Sequence, residues 1–188
     1  MRAIARADSQ CDLTIYLSWT DVKWKTPNLF HMSETVYIET SILGYLTARS
    51  TKNLILAGNI EVTRDWWKLR RSTFTLYISQ VVLSEAAQGD AEMAAQRLEA
   101  MRGLPLLEVT DAVEDLASQF MMRSNLPPKA SDDAVHIALA TVSSLNYLLT
   151  WNCKHIANAQ IQRKLREISS DFGYTLPVIC TPYELMGE

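Results

Sequence analysis

The sequence predicts an α/β fold: a three-layer α/β/α sandwich with a central, mostly parallel sheet. Short segments rich in β-branched and aromatic residues alternate along the chain with longer segments whose apolar residues recur every three to four positions. This alternation is typical of a parallel sheet covered by helices on both faces. The segment 36–39 is apolar up to its final acid, as expected of a strand that is buried on both faces.

The composition is that of an ordinary globular protein. A chain of 188 residues, 48% of them hydrophobic and 21% charged, can bury a hydrophobic core as one domain. No apolar run approaches the ~18 residues of a membrane span, and no apolar segment followed by a small-residue cleavage site opens the chain. We therefore expect no membrane partner and no secretion.

Cysteine usage and net charge narrow the class of protein further. Cys11, Cys153 and Cys180 are odd in number and show no CxxC spacing, so we interpret them as reduced cytoplasmic thiols. A formal charge of −3 argues against indiscriminate coating of nucleic acid. It is compatible with an enzyme that holds nucleic acid locally around an acidic, metal-binding centre.

The N-terminal residues 1–31 differ from the rest of the chain. They show no sustained period of 2 or 3.6, so no element is assigned to them. Met32 opens a Met-Ser-Glu-Thr segment directly before the first convincing strand. Our hypothesis is that Met32 is the natural start and that 1–31 is a translated upstream leader, which leaves 32–188 as the folded domain.

The first half of this domain contains two strands and several helices. Strands are assigned where β-branched and aromatic residues cluster, and the longest helix is assigned from its apolar spacing. Gly89 and Asp90 separate the last two helices. The predicted elements are a strand at 36–39, helices at 41–47 and 53–72, a strand at 74–79, and helices at 80–88 and 91–101.

The second half continues the alternation. Either Thr110 or Asp111 is expected to cap one helix, and either Ser131 or Asp132 the next. A loop at 125–128 separates them, because proline disfavours helix in the residue before it. The predicted elements are a strand at 104–109, a helix ending at 123, a helix at 131–144, a strand at 147–150, a helix at 159–172 closed by Gly173, and a strand at 177–180.

Acidic and amide side chains recur where strands end or helices begin. Glu39 ends the first strand, Glu85 lies just past the second, Asp132 and Asp133 open a helix, and Asn152 follows the fourth strand. The carboxyl ends of parallel strands lie along one edge of a sheet, so these groups can converge. Convergent carboxylates repel one another unless a cation lies between them, and hard oxygen ligands suit Mg²⁺ or Mn²⁺. Such a cation can activate water for attack on a phosphodiester.

The order and spacing of four motifs resemble those of the PIN-domain family. The motifs are VYIETS at 36–41, SE at 84–85, SDDAVHIA at 131–138 and LTWN at 149–152. The chain looks like a VapC-type ribonuclease toxin of a bacterial toxin–antitoxin system from about residue 35 to the C-terminus. The resemblance implies RNA cleavage that depends on Mg²⁺ or Mn²⁺, and control by a small antitoxin; dimerisation stays open.

The resemblance also implies roles for individual residues. Glu39 matches the family's first acid, which is aspartate in most members, and Glu85 matches the second. Asp133 matches the third, with Asp132 as its neighbour or alternate. These three positions imply metal ligands at Glu39, Glu85 and Asp133, while Asn152 at the fourth position would orient the metal or its water. The alternative is a catalytically weakened PIN-like module that binds RNA or a protein partner, because the first and fourth positions are altered.

Several neighbouring residues have a simpler interpretation. His136 is interpreted as a hydrogen-bonded core histidine in preference to a ligand, whereas His155 could contact phosphate or stabilise its loop. Thr40 and Ser41 could hydrogen-bond a metal-bound water or cap the helix that follows, and capping is the default expectation. Glu85 could alternatively be a first-turn acid that the helix dipole favours. No GxGxxG or GxxxxGK[ST] segment follows any strand, so a nucleotide-binding fold is not indicated.

Overall fold

The computed structural model describes residues 33–187, and the predicted leader 1–31 lies outside the described residues. Five parallel strands form one sheet in the order β3-β2-β1-β4-β5, which confirms the predicted α/β class. The strands are β1 (Thr35–Ile38), β2 (Thr75–Ser79), β3 (Leu106–Leu107), β4 (Tyr147–Leu149) and β5 (Val178–Cys180).

Helices connect successive strands, as a parallel sheet requires. They are α1 (Thr40–Leu46), α2 (Leu54–Leu69), α3 (Gln80–Ala86), α4 (Ala91–Ala100), α5 (Asp111–Arg123), α6 (Ser131–Val142) and α7 (Ala159–Asp171), with a short 3₁₀ turn at Arg71–Thr73 before β2. Gly173 follows α7 with a φ of +78°, so its predicted role in closing that helix is confirmed. None of the helices in the described part of the chain is long and apolar enough to cross a bilayer.

Strand β1 is the centre of the sheet. Its Tyr37 lies beside Tyr77 of β2 and Leu148 of β4. Successive side chains of a strand point to opposite faces, and Val36, Tyr37 and Ile38 are all fully buried. Both faces of β1 are therefore covered by the helical layers, as the apolar character of the segment predicted. The residues that follow β1, β2 and β4 emerge at the same edge.

Two details differ from the sequence prediction. β3 spans only two residues, because it is an edge strand and Pro105 before it has no N–H to donate to a ladder. The prediction that Ser131 or Asp132 caps α6 is wrong. Ala130 occupies the cap position without a side-chain hydrogen bond, and Ser131 is the first helical residue.

Candidate metal centre

Glu39 lies at the carboxyl end of β1 and is buried. Its backbone is extended and forms the N-cap of α1, and its Oε1 accepts a hydrogen bond from the Ser41 N–H at 3.1 Å. Its Oε2 accepts hydrogen bonds from the Ser41 hydroxyl and from Thr150 Oγ1, the latter at 2.6 Å. The expectation that Thr40 or Ser41 caps α1 is therefore wrong, because the acid itself takes that position and the hydroxyls bind carboxylates.

Glu85 lies near the C-terminal end of α3, one turn further along the helix than a first-turn acid would lie. The helix dipole therefore does not favour it, and that alternative is wrong. Its Oε2 accepts a hydrogen bond from the Thr40 hydroxyl and lies 3.1 Å from His136 Nε2. Glu85 is therefore held by hydrogen bonds to Thr40 at the start of α1 and to His136 in α6.

Glu39, Glu85 and His136 form a compact cluster. One potential ligand atom from each lies within 4.8 Å of the others. His136 is buried and hydrogen-bonded, as the sequence predicted. Its place in the cluster was not predicted, although its position three residues after Asp133 on one helix was a signal.

Asp133 belongs to an adjoining group. Its Oδ1 accepts a hydrogen bond from Asn152 Nδ2 at 2.8 Å, and its Oδ2 lies 2.8 Å from His155 Nδ1. The structure thus brings Asp133 and Asn152 together, but Asp133 is not one of the three residues of the compact cluster. Asp132, its neighbour, is exposed.

Hydrogen bonds and neighbouring charges shift the pKa values of Glu85 and His136 in the compact cluster. Burial opposes ionisation of Glu85, but hydrogen bonds from His136 and Thr40 outweigh it and hold the pKa of Glu85 below its usual value. Burial likewise lowers the pKa of His136, but the hydrogen bond to Glu85 and the charges of Glu39, Glu85 and Asp133 outweigh it and raise that pKa. Both shifts favour a carboxylate–imidazolium pair.

Sequence reasoning missed two residues behind these acids. Thr150, which is fully buried, binds Glu39 across 111 residues of chain. Tyr37 directs its hydroxyl to His136 Nδ1 at 2.8 Å and to Ser79 Oγ at 2.7 Å. A buried tyrosine normally needs a hydrogen-bond partner for its hydroxyl, so Tyr37 within an otherwise apolar strand was the available signal.

The donor set fits a divalent cation. A buried carboxylate, Glu39, and a half-buried one, Glu85, approach each other beside the imidazole of His136. In the described residues their hydrogen-bond donors are three hydroxyls, one backbone N–H and this imidazole. Carboxylate oxygens suit Mg²⁺ and Mn²⁺, and an imidazole nitrogen is acceptable to Mn²⁺. Glu39 and Glu85 are therefore candidate ligands.

No protein-family model matches the sequence, and no curated protein is significantly similar to it. Among solved structures, the chain is similar to VapC20 of Mycobacterium tuberculosis, a toxin that cleaves the sarcin–ricin loop. The TM-score is 0.52 at 15% identity, over 68% of this chain and 97% of that one. It is also similar to VapBC2 of Rickettsia felis bound to a promoter DNA fragment, with a TM-score of 0.43 at 13% identity over 78% and 98% of the chains. The likeness to VapC20 confirms the resemblance at the level of the fold: this chain has the PIN-like fold of a VapC toxin.

Proposed function

We propose that this protein is a metal-dependent endoribonuclease that hydrolyses RNA phosphodiester bonds in the cytoplasm, as the toxin of a toxin–antitoxin pair. The observation that carries the proposal is the convergence of Glu39, Glu85 and His136 within 4.8 Å at the carboxyl edge of the sheet. Open α/β folds place their sites at this edge. VapC20, which shares the fold, is a toxin that cleaves an RNA loop.

In this proposal Glu39, Glu85 and Asp133 hold Mg²⁺ or Mn²⁺. The inclusion of Asp133 is supported by its negative charge, which helps to raise the pKa of His136 in the compact cluster. Asn152 donates its amide N–H to Asp133, so it orients that carboxylate. When bound, the cation lowers the pKa of a water nucleophile and stabilises the charge that develops on the phosphoryl oxygens.

The first experiment is cleavage of RNA by the purified protein with Mg²⁺, with Mn²⁺ and with EDTA. The substrates are structured RNAs, among them a sarcin–ricin loop oligonucleotide. Asp133→Asn removes one charge from the proposed centre, and Asp132→Asn removes one charge from the exposed neighbouring position. Loss of a residue outside the coordination shell costs ~10–100-fold, so we expect Asp133→Asn to lose more than ~100-fold and Asp132→Asn to remain active.

Two results would count against the proposed centre. Equal activity of Asp133→Asn and the wild type would remove Asp133 from it. Cleavage that persists in EDTA would show that the reaction does not depend on a divalent metal ion. Absence of cleavage under every condition, in folded protein purified without a partner, would favour the second candidate function.

That second candidate is a catalytically weakened PIN-like module that binds RNA or a protein. The observation in its favour is that both oxygens of Glu39 already accept hydrogen bonds from Ser41 and Thr150. A carboxylate held in this way has few lone pairs left for a metal ion, and its capping of α1 accounts for part of its hydrogen bonding. Calorimetry with Mn²⁺ separates the two functions, because a centre that has been lost does not bind Mn²⁺ at millimolar concentration.

We propose a small antitoxin as the protein partner, consistent with the VapC-like fold. Leu54 and Ile55 at the start of α2 are 87% and 79% exposed, and adjacent exposed apolar side chains often mark interaction sites. Co-expression with the product of a neighbouring small open reading frame should yield a complex that Leu54→Ser/Ile55→Ser weakens. Self-association of the chain alone, measured by light scattering, would instead assign this surface to a homodimer.

A further inference from the structure

A continuous chain of buried polar side chains lies behind Glu85. His136 Nε2 lies 3.1 Å from Glu85 Oε2, and His136 Nδ1 lies 2.8 Å from the Tyr37 hydroxyl. The Tyr37 hydroxyl in turn lies 2.7 Å from Ser79 Oγ. Tyr37 and Ser79 are fully buried and His136 is 1% exposed. None of the three is a proposed metal ligand.

The direction of the first hydrogen bond is fixed by chemistry. A carboxylate can only accept, so His136 Nε2 carries a proton and donates it to Glu85. In the neutral imidazole Nδ1 then accepts from Tyr37, and in the imidazolium Nδ1 donates to Tyr37. In both forms Nε2 donates to Glu85, and in both forms the Tyr37 hydroxyl satisfies Nδ1.

Helix α3 connects the two ends of this series of hydrogen bonds, so that Glu85, His136, Tyr37 and Ser79 form a closed ring of polar residues. Ser79 is the N-cap of α3 and its Oγ accepts a hydrogen bond from the Val82 N–H, while Glu85 lies near the other end of the same helix. Tyr37 of β1 and His136 of α6 therefore hold both ends of α3. A displacement of the whole of α3 would disturb the hydrogen bonds at both of its ends.

The polar character of the ring needs a reason beyond packing. Burial of a hydroxyl and an imidazole costs free energy that their hydrogen bonds only offset. A phenylalanine at position 37 would fill nearly the same volume without that cost. The retained polar groups orient a carboxylate at the edge of the sheet, as the residues outside a coordination shell orient metal ligands.

We propose that Tyr37 and His136 are positioning residues that hold the Glu85 carboxylate in the orientation in which it binds metal. This inference rests on the proposed function, since it assigns Glu85 a metal to bind. Tyr37 acts through His136, and His136 acts through its Nε2–H. Neither residue contacts the cation.

The test measures Mn²⁺ affinity of the full chain by calorimetry, in the wild type and in Tyr37→Phe. The control is Tyr147→Phe, which removes another strand tyrosine hydroxyl, one that binds Glu34 and not a cluster residue. We expect Tyr37→Phe to bind Mn²⁺ about 10-fold more weakly and Tyr147→Phe to bind it like the wild type. ¹⁵N NMR of the metal-free protein should show a proton on His136 Nε2 at neutral pH.

Three outcomes would overturn the inference, and they differ from one another. Wild-type affinity in folded Tyr37→Phe would leave the metal centre intact and reduce the ring to a structural role. Loss of the Nε2 proton on addition of diamagnetic Mg²⁺ would make His136 a ligand. Absence of Mn²⁺ binding by the wild type would overturn the proposed function together with this inference. His136→Gln, which keeps an N–H donor on a side chain of similar length, should retain more affinity than His136→Ala.

Discussion

The candidate site contains two carboxylate–histidine pairs that differ in their support. Glu85 and His136 lie 3.1 Å apart, and Asp133 and His155 lie 2.8 Å apart. His136 projects from helix α6 into the core, and Tyr37 binds its second ring nitrogen. His155 belongs to the loop after β4 and is 15% exposed, and its Nε2 makes no hydrogen bond to the residues that the structure describes.

The comparison shows that a carboxylate–histidine pair can have different roles. The role depends on which groups hydrogen-bond to the histidine and on how far it is buried. A buried histidine with both nitrogens engaged has no free donor or acceptor for a further ligand, and its hydrogen bond orients the carboxylate. A partly exposed histidine with one engaged nitrogen keeps a donor or acceptor for a ligand. Of the two roles that the sequence suggested for His155, we therefore propose the contact with phosphate. The positioning role belongs to His136.

The largest difference should appear in stability. His136→Ala removes a buried side chain together with its hydrogen bonds to Glu85 and Tyr37, so we expect a loss of ~2–4 kcal/mol in the free energy of unfolding. His155→Ala removes a partly exposed side chain and should cost only ~0.5–1.5 kcal/mol. Denaturant unfolding of the metal-free proteins measures both. Equal losses would show that the two pairs have equivalent support.

A smaller effect should appear when charge is added to the Asp133 pair. Asn152→Asp replaces the amide donor of Asp133 with a second carboxylate, so the metal-free protein should lose ~1 kcal/mol. Mn²⁺ should then stabilise this variant more than it stabilises the wild type, since an added acid strengthens a cation site. Thermal unfolding with and without Mn²⁺ measures the change.

The matched control for that substitution is Asn158→Asp. Asn158 caps α7 as an acceptor, a role that aspartate retains. We therefore expect no metal-dependent change in the control. If Mn²⁺ stabilises Asn152→Asp no more than it stabilises the control, residue 152 does not belong to the metal centre.

The smallest effect should be the pH dependence that the Glu85–His136 pair contributes to stability. The folded-state pKa of His136 is raised above 6.5, so its contribution to stability is complete below that value and is lost as pH rises through the raised pKa. The pKa of Glu85 is lowered from 4.5, so its contribution is lost as pH falls through the lowered pKa. Metal-free stability should therefore decline on both sides of mildly acidic pH.

His136→Gln tests which residue causes the alkaline decline. A glutamine does not titrate, so the decline above pH 6.5 should flatten in this variant. Urea unfolding across pH measures the slopes. An unchanged alkaline slope in His136→Gln would assign the decline to another group.

The sequence was sufficient to place Glu39 and Glu85 at one edge of the sheet. That placement follows from strand ends in a parallel sheet, which depend only on local pattern and a topological rule. The family resemblance implied Asp133 as the third ligand, but residues three apart on a helix share a face. Pattern alone therefore could not decide whether Asp133 or His136 lies nearer to the two glutamates.

The supporting hydroxyls were beyond the reach of sequence reasoning for a different reason. Thr150 and Glu39 are 111 residues apart, and no local signal connects a threonine at the end of β4 with an acid at the end of β1. The prediction of the α1 cap was wrong for the same reason. Glu39 occupies the cap position, and the hydroxyls of Thr40 and Ser41 donate to carboxylates. Tertiary contacts, which no propensity describes, decided these roles.

The pairing of β1 with β4 has a consequence for the timing of synthesis. Glu39 is translated early, but its neighbours Leu149 and Thr150 leave the ribosome after most of the chain has been made. A contact so distant in sequence forms late, because the long intervening loop must close first. The nascent chain therefore carries an incomplete centre until translation is nearly finished. In the proposed nuclease, the metal centre would therefore be complete only after most of the message has been translated.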